Sequence, residues 1–511
     1  MKAVKLILPL IILAGCINKV ERKTFPPSQK LPPSLITPFL KAHMKDGSIY
    51  VFESWKIDEE NRTVSGEATL YDKYRRFVKK DNFTISIDSV ALFETNKLKT
   101  AGSAAITPLV LMTMVSIPIT IACLSNPKAC FGSCPTFYVL EGDSFRLQAE
   151  GFSASILPLF EAVDVDALYH VKHKGNELVL QMKNEALETH VVRYVDILAV
   201  PRDRGKRVFA TKDNRFYSVS NIIPPRYAVA EEGDILPLIL KPDGRERFSY
   251  ADSSYLGAKE EINLEFKVKP NGDYGIIIAH RHTLLTTFIF YQILAYMGSN
   301  AGYYLAKVEG NKGGKNKIYN RLFLDVLGGL DVFVYYPNRG WKKIETIYEP
   351  GPIATDFHIF PIEGLRDSVI KVKLRMTKGM WRIDYVALGE IEKEVKPLRI
   401  RPYEVLKEGE RDTVAFTNLV DTTKYLTTLP GDVYTLKYRL PNGDYELFIQ
   451  SKGYYLEWIR KEWIAEENPL LLFELMLLPE LALRRLAPEF KRIEGTMEYY
   501  FWRSRYANGQ I

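Results

Sequence analysis

Short runs in which apolar and polar residues alternate dominate this chain, bounded by Gly, Pro, Asn and Asp, and that pattern predicts strands. The clearest is "VIKVKLRM", where Ile370, Val372, Leu374 and Met376 share one face and Lys371, Lys373 and Arg375 the other. Similar runs lie between 41 and 98, in "NELVLQMKNEALETHVVRYVDILAV", and from 320 to 400. Two stretches read as hairpins: "PTFYVLEGDSFRLQAE", turning at Glu141-Gly142-Asp143, and "YTLKYRLPNGDYELFIQ", turning at Pro441-Asn442-Gly443-Asp444. "PNGDY" recurs at 270–274, which reads as a second hairpin using the same favoured turn. Helical signals are few. The apolar stretch 283–297 suits a buried helix. The leucine-rich "NPLLLFELMLLPELALRRLAPEF" suits one or two short helices docked on the body, and an exposed version would be a partner site.

Length adds domain organisation. A chain of 511 residues exceeds one ordinary core. The expected fold class is mainly β and multidomain, with a few buried or membrane-associated helices. The order is a small SH3-like β-barrel (41–100), an apolar helical segment (101–129), a β-rich domain (130–270) and a helical insertion (271–310). A jelly-roll-like β-sandwich (311–400), a β-hairpin region (401–467) and a C-terminal helical segment (468–511) follow. Residues 101–127 carry no charge and are long enough to cross a bilayer, yet Pro108 and Pro118 interrupt them. They fit either a buried helical hairpin or a membrane-inserted segment.

The N-terminus changes the picture most. Lys2 and Lys5 precede an apolar run, Leu6 to Leu13, too short to span a membrane, and "LAGC" ends at Cys16. This resembles the signal peptide and lipobox of bacterial lipoproteins. The resemblance implies that residues 1–15 are removed, that Cys16 is acylated, and that 16–40 form a proline-rich tether. Ile17 replaces the aspartate of the inner-membrane retention signal, so the resemblance favours the outer membrane. The membrane is then a partner through the acyl chains. The formal charge of +7 falls to +5 once Lys2 and Lys5 are gone, and no basic patch interleaved with aromatics appears. Nucleic-acid binding is therefore not expected.

Candidate chemistry is thin. Cys123, Cys130 and Cys134 fit no zinc spacing, and the oxidising compartment implied by the lipobox makes a Cys130–Cys134 disulfide the simplest reading, with unpaired thiols the alternative. "GDSF" at 142–145 and "GFSAS" at 151–155 lack the strand–elbow–helix setting of a serine nucleophile. Glu185, Glu188, His190, His280 and His282 follow no fixed metal motif and read as surface residues, with Glu188 and His190 on one strand face. No metal and no cofactor is expected.

Trp341, Trp381 and Asp384 are the candidate ligand-binding residues, since aromatic faces stack on sugars. The region 320–392 is similar to galactose-binding-like jelly rolls, through "GWKKIETIYEPG" and "WRIDYVALGEI". The segment from "CFGSCPTFYV" to "VRYVDILAV" resembles a family of uncharacterised bacterial envelope lipoproteins. The matching positions are Cys134, Pro135, Tyr138, Asp164, Asn184, Glu185, Glu188 and Thr189. Together these imply a lipid-anchored envelope protein with a binding or scaffolding role and an envelope protein or glycan as partner. A glycan-active enzyme with its site between β-modules is the alternative.

Overall fold

A computed structural model describes residues 19–25, 39–44, 48–71, 77–99, 134–153, 155, 161–171, 175–186, 188–298, 325–348, 351–365, 367–457 and 466–504. The expected signal peptide (residues 1–15), Cys16, the segment 101–127, Cys123 and Cys130 lie outside these residues. The chain is mainly β, as its patterning predicts, and it divides into two units.

The first unit holds one antiparallel sheet of seven strands: Lys19–Phe25, Phe39–Met44, Ile49–Phe52, Lys56–Asp58, Thr63–Tyr71, Phe77–Ser86 and Val90–Lys99. Its core gathers Leu40, Phe52, Trp55, Val64, Val90 and Phe93. The strand Lys19–Phe25 lies within the span expected to be a tether and pairs along its whole length with Val90–Lys99.

The second unit stacks four sheets. Thr136–Glu141, Ser144–Glu150, Glu177–Lys183, Glu404–Lys407, Glu410–Arg411 and Val433–Arg439 form the second sheet of the molecule. The third comprises Ala162–Ala167, Glu188–Pro201, Leu398–Ile400, Leu426–Thr428 and Tyr445–Glu457. The fourth comprises Arg207–Ala210, Phe216–Ile223, Arg247–Phe248, Tyr274–His282, Asp356–Ile362 and Trp381–Val395, and its path closes on itself where Phe216–Ile223 meets Trp381–Val395. The fifth comprises Tyr227–Ala230, Gly233–Asp234, Lys259–Lys267, Leu330–Tyr336, Gly340–Ile347 and Val369–Thr377.

The third sheet is covered on both faces, which accounts for the nearly unbroken apolar run in "VVRYVDILAV". Val195, Ile197 and Ala199 enter the core shared with the second sheet, and Leu198 and Val200 enter the core shared with the fourth. In Val369–Thr377 the alternation holds as read, with Ile370, Val372, Leu374 and Met376 buried.

The expected hairpin over 433–457 is a correction. Val433–Arg439 pairs with Glu177–Lys183 and Glu404–Lys407, whereas Tyr445–Glu457 pairs with Glu188–Pro201 and Ala162–Ala167. "PNGDY" therefore carries the chain from one sheet to the next, and it does the same at 270–274, between Lys259–Lys267 and Tyr274–His282. A turn signal fixes the reversal but not the partner, and long-range pairing decides the partner. Both corners share a device. The Tyr274 hydroxyl donates to the Lys269 carbonyl at 3.0 Å, and that of Tyr445 to the Asn442 carbonyl at 3.3 Å. Each ring folds back over the glycine, so a Cβ on Gly272 would lie 2.6 Å from Tyr274 and one on Gly443 3.1 Å from Tyr445.

The fourth and fifth sheets form an insertion within the third. The chain leaves along Glu188–Pro201 and returns along Leu398–Ile400, and these strands pair, Leu198 opposite Arg399. Five α-helices and the 3-10 turn Ile87–Ser89 complete the described residues, the α-helices being Leu236–Ile239, Leu285–Met297, Thr413–Val420, Pro469–Leu477 and Pro479–Ser504. None of them is long and apolar enough to cross a membrane.

Candidate functional site

Four carboxyl groups converge where the second, third and fourth sheets meet. Glu150 ends Ser144–Glu150, Asp164 and Asp166 lie on the edge strand Ala162–Ala167, and Asp356 opens Asp356–Ile362. Val165 and Ala167 go to the core, so the two-residue period turns Asp164 and Asp166 together to the other side.

These groups hold loop backbone. Asp164 accepts from the Phe152 amide at 2.6 Å and the Val165 amide at 3.1 Å. Asp356 accepts from the amides of Ala167 at 3.3 Å and Phe357 at 2.7 Å, and Glu150 from that of Ile353 at 2.7 Å. Asp166 Oδ2 and Ser451 Oγ are buried with no hydrogen-bond partner among the described residues, and Ser451 lies directly across from Asp164.

Histidines continue the cluster. His358 Nδ1 lies 3.3 Å from Asp356 Oδ2 and 3.2 Å from His280 Nε2, and the two imidazoles stack at 5.3 Å. His282 sits edge-on to Trp381 at 4.2 Å, with its Nδ1 3.4 Å from Thr286 Oγ1.

Burial, and then the charges of Asp164, Asp356 and Glu150, push Asp166 well above the usual carboxylate range. Burial and Asp356 raise Asp164 to about 7. Burial, then His358 and His282, hold His280 well below the ordinary imidazole value, and burial brings His282 to about 3. The cluster therefore favours protons on Asp164 and Asp166 and keeps His280 and His282 neutral. Among the described residues no three His, Cys, Asp or Glu side chains are placed to hold a metal.

The residues singled out from sequence fall as follows. Trp341 is exposed on the outer face of the fifth sheet, its ring 5.5 Å from Tyr335 and 4.9 Å from the Lys373 ammonium. Trp381 is fully sealed beside Ile383 on the fourth sheet and offers no face for stacking on a ligand. Asp384, three residues on, accepts from the Gly244 amide at 2.9 Å, and burial raises it to about 6. Cys134 is buried at the head of Thr136–Glu141, and its expected partner Cys130 lies outside the described residues.

His280, His282, Glu185, Glu188 and His190 are buried rather than on the surface, because they pair with one another and with neighbouring hydroxyls and rings. Glu188 Oε1 meets His190 Nε2 at 2.8 Å, and Glu185 accepts from Thr136 Oγ1 at 2.6 Å and Tyr138 Oη at 2.9 Å. Other buried charges tie elements together. Arg247 bridges Glu232 and Glu260, while Glu246 accepts from Arg281 and Arg382.

Sequence reasoning passed over Asp166, Asp356 and His358. The alternation Val163-Asp164-Val165-Asp166 was the available signal for one acidic face. Nothing local announces that Asp356 joins it.

No family model matches the chain, and no curated protein does. Among solved structures, a GH31 α-xylosidase from Xanthomonas citri aligns at 9% identity over 85% of this chain and 38% of that one, with a TM-score of 0.15. The infectious bursal disease virus VP2 subviral particle aligns at 9% identity over 95% and 93%, with a TM-score of 0.15. A triple jelly-roll protein of an archaeal virus aligns at 9% identity over 64% and 90%, with a TM-score of 0.12. The chain spans well under half the length of the xylosidase. At these scores none of the three carries an argument.

Proposed function

We propose that the chain is a lipid-anchored cell-envelope protein whose β-sheet body binds or scaffolds rather than catalyses. The observation that carries this reading is the outer face of the fifth sheet. There Phe333, Tyr335 and Trp341 stand beside Lys371, Lys373 and Arg375, with Lys373 over Phe333 and Trp341 and Arg375 over Phe333. Separate strands assemble this face, so no single stretch of the sequence shows it. Its rings suit recognition of a glycan or protein surface, with Lys373 and Arg375 also paired to Glu261 and Asp331. The charged groups of the interior are engaged in joining sheets. The anchor rests on the lipobox-like N-terminus, and Lys19–Phe25 begins only three positions after Cys16.

A glycan-active enzyme is the second reading, favoured by the converging carboxyls. Burial of Glu150, Asp166 and Asp356 weighs against it. Two measurements test the proposal. Cys16→Ala should abolish acylation and accumulate precursor, and unchanged acylation sinks the anchor. Trp341→Ala should weaken retention of envelope polysaccharide or protein about tenfold, as loss of one anchoring aromatic does. Equal retention sinks the binding face.

A further inference from the structure

We propose that the corner between Pro469–Leu477 and the start of Pro479–Ser504 is a contact surface for a lipid bilayer. The first of these helices is apolar except for Glu474. Leu472 and Leu475 point inward, and Ala482, Leu483, Leu486 and Phe490 continue that buried stripe on the second helix, with Phe490 against Phe288 at 5.1 Å. Outward stand Leu470, Phe473, Leu477, Leu478 and Leu481, each between 41% and 75% exposed. Leucines spread singly over a surface are ordinary, but five large apolar side chains across one helix junction form a patch that a soluble surface rarely carries.

Three features favour hydrocarbon over a protein as the occupant. Between Asn468 and Leu481 the charges are Glu474, which Arg485 Nε holds at 2.9 Å, and the exposed Glu480, so the corner offers little charge to a complementary partner. Backbone groups at the corner are satisfied internally: the Asn468 side chain accepts from the Leu471 amide at 3.1 Å, and the Leu478 amide donates to the Glu474 carbonyl at 2.7 Å. Unmet backbone groups are what lipid tolerates least.

The third feature is a gradient along the longer helix. Beyond Leu481, Arg484 stacks over Tyr255 at 4.5 Å, and further on Lys491 stacks over the exposed Tyr250 at 5.0 Å. At about 1.5 Å per residue these cations lie roughly 5 and 15 Å from Leu481 along the axis. Apolar residues followed by Arg, Lys and Tyr is the succession found across a membrane interface, and it suits an insertion of about 5–10 Å.

The proposal rests on the anchored reading only for how the body reaches the membrane. Its test uses the full chain in phosphatidylethanolamine–phosphatidylglycerol vesicles with Phe473→Trp, and Val414→Trp as a control on an exposed helix elsewhere. Lipids brominated on their acyl chains should quench the fluorescence added by the new tryptophan at position 473 at least about twofold, as for a ring at acyl depth, and leave the control unquenched. Adding Leu470→Ser and Leu477→Ser should remove the quenching without altering the melting temperature. Vesicle-bound protein whose fluorescence at 473 stays unquenched overturns the proposal. So does a shielded but unquenched tryptophan at 473 accompanied by sedimentation as a dimer, which makes a second copy the occupant. Acylation of Cys16 is read separately, so an unacylated chain whose position 473 is quenched refutes the anchor and keeps the corner.

Discussion

Asp166 shows how much a single side chain sets at the junction of the three sheets. A carboxyl that keeps its proton to higher pH when folded than when unfolded binds extra protons in the folded state. Its contribution is then full below the ordinary carboxylate range and is lost as pH rises through the folded value. For Asp164 that window runs from 3.8 to about 7, and burial moves Asp166 in the same direction. Rising pH from about 4 to about 7 should therefore withdraw the carboxyl contribution, while His280 and His282, held neutral, contribute in the opposite direction below 6.5, so comparing parent with variant isolates the carboxyls. Asp166→Asn removes one of the repelling charges and leaves the backbone contacts of Asp164 and Asp356 in place. Its melting curve should flatten with pH and lie above the parent's at pH 8, by about 1.4 kcal/mol for each pKa unit relieved. Parallel curves for parent and variant would remove the cluster from the account of pH response.

At the scale of elements, the two "PNGDY" corners are the informative case. The turn itself was legible, since Asn and Gly at those positions announce a reversal. Its destination was not, because Val433–Arg439 and Tyr445–Glu457 find partners 244 to 269 residues away that no local pattern names. For the same reason Asp164 could be placed on a face from its alternation, but not beside Asp356. By contrast the strand Val369–Thr377 follows directly from its alternation, and the helix Leu285–Met297 and the C-terminal helices from the length of their apolar runs. Trp381, a ligand-binding candidate by residue type, belongs to the core by burial. The corner device makes a prediction. Gly272→Ala drives a methyl into the Tyr274 ring and should cost about 1–3 kcal/mol in urea unfolding. Tyr274→Leu in the same chain should recover part of that loss. If the double variant is no better than the sum of the singles, ring and glycine are not coupled.

For the whole molecule, the neck of the insertion is decisive. Asp196 is fully buried on Glu188–Pro201, and Arg399 on the returning strand reaches it at 2.5 Å while its guanidinium stacks over Tyr194 at 4.4 Å. Burial raises the Asp196 carboxyl, and Arg399 works against that. Arg399→Met should cost about 1–3 kcal/mol, less than a fully enclosed pair because the arginine is partly solvated. Adding Asp196→Asn should restore most of it. A double variant as unstable as Arg399→Met alone would show that the neck is held by packing and not by this pair.

That same neck imposes a schedule on synthesis. Glu188–Pro201 leaves the ribosome about 240 residues before its central partner, Tyr445–Glu457, and at about 5–20 residues per second this is a wait of roughly 12–50 s. Sheet formation between neighbouring segments is far faster, so the inserted strands have time to fold while the older strand is still waiting. A newborn chain thus carries a long apolar strand with an unmet edge for much of its production, and its safety in that interval depends on what shelters that edge.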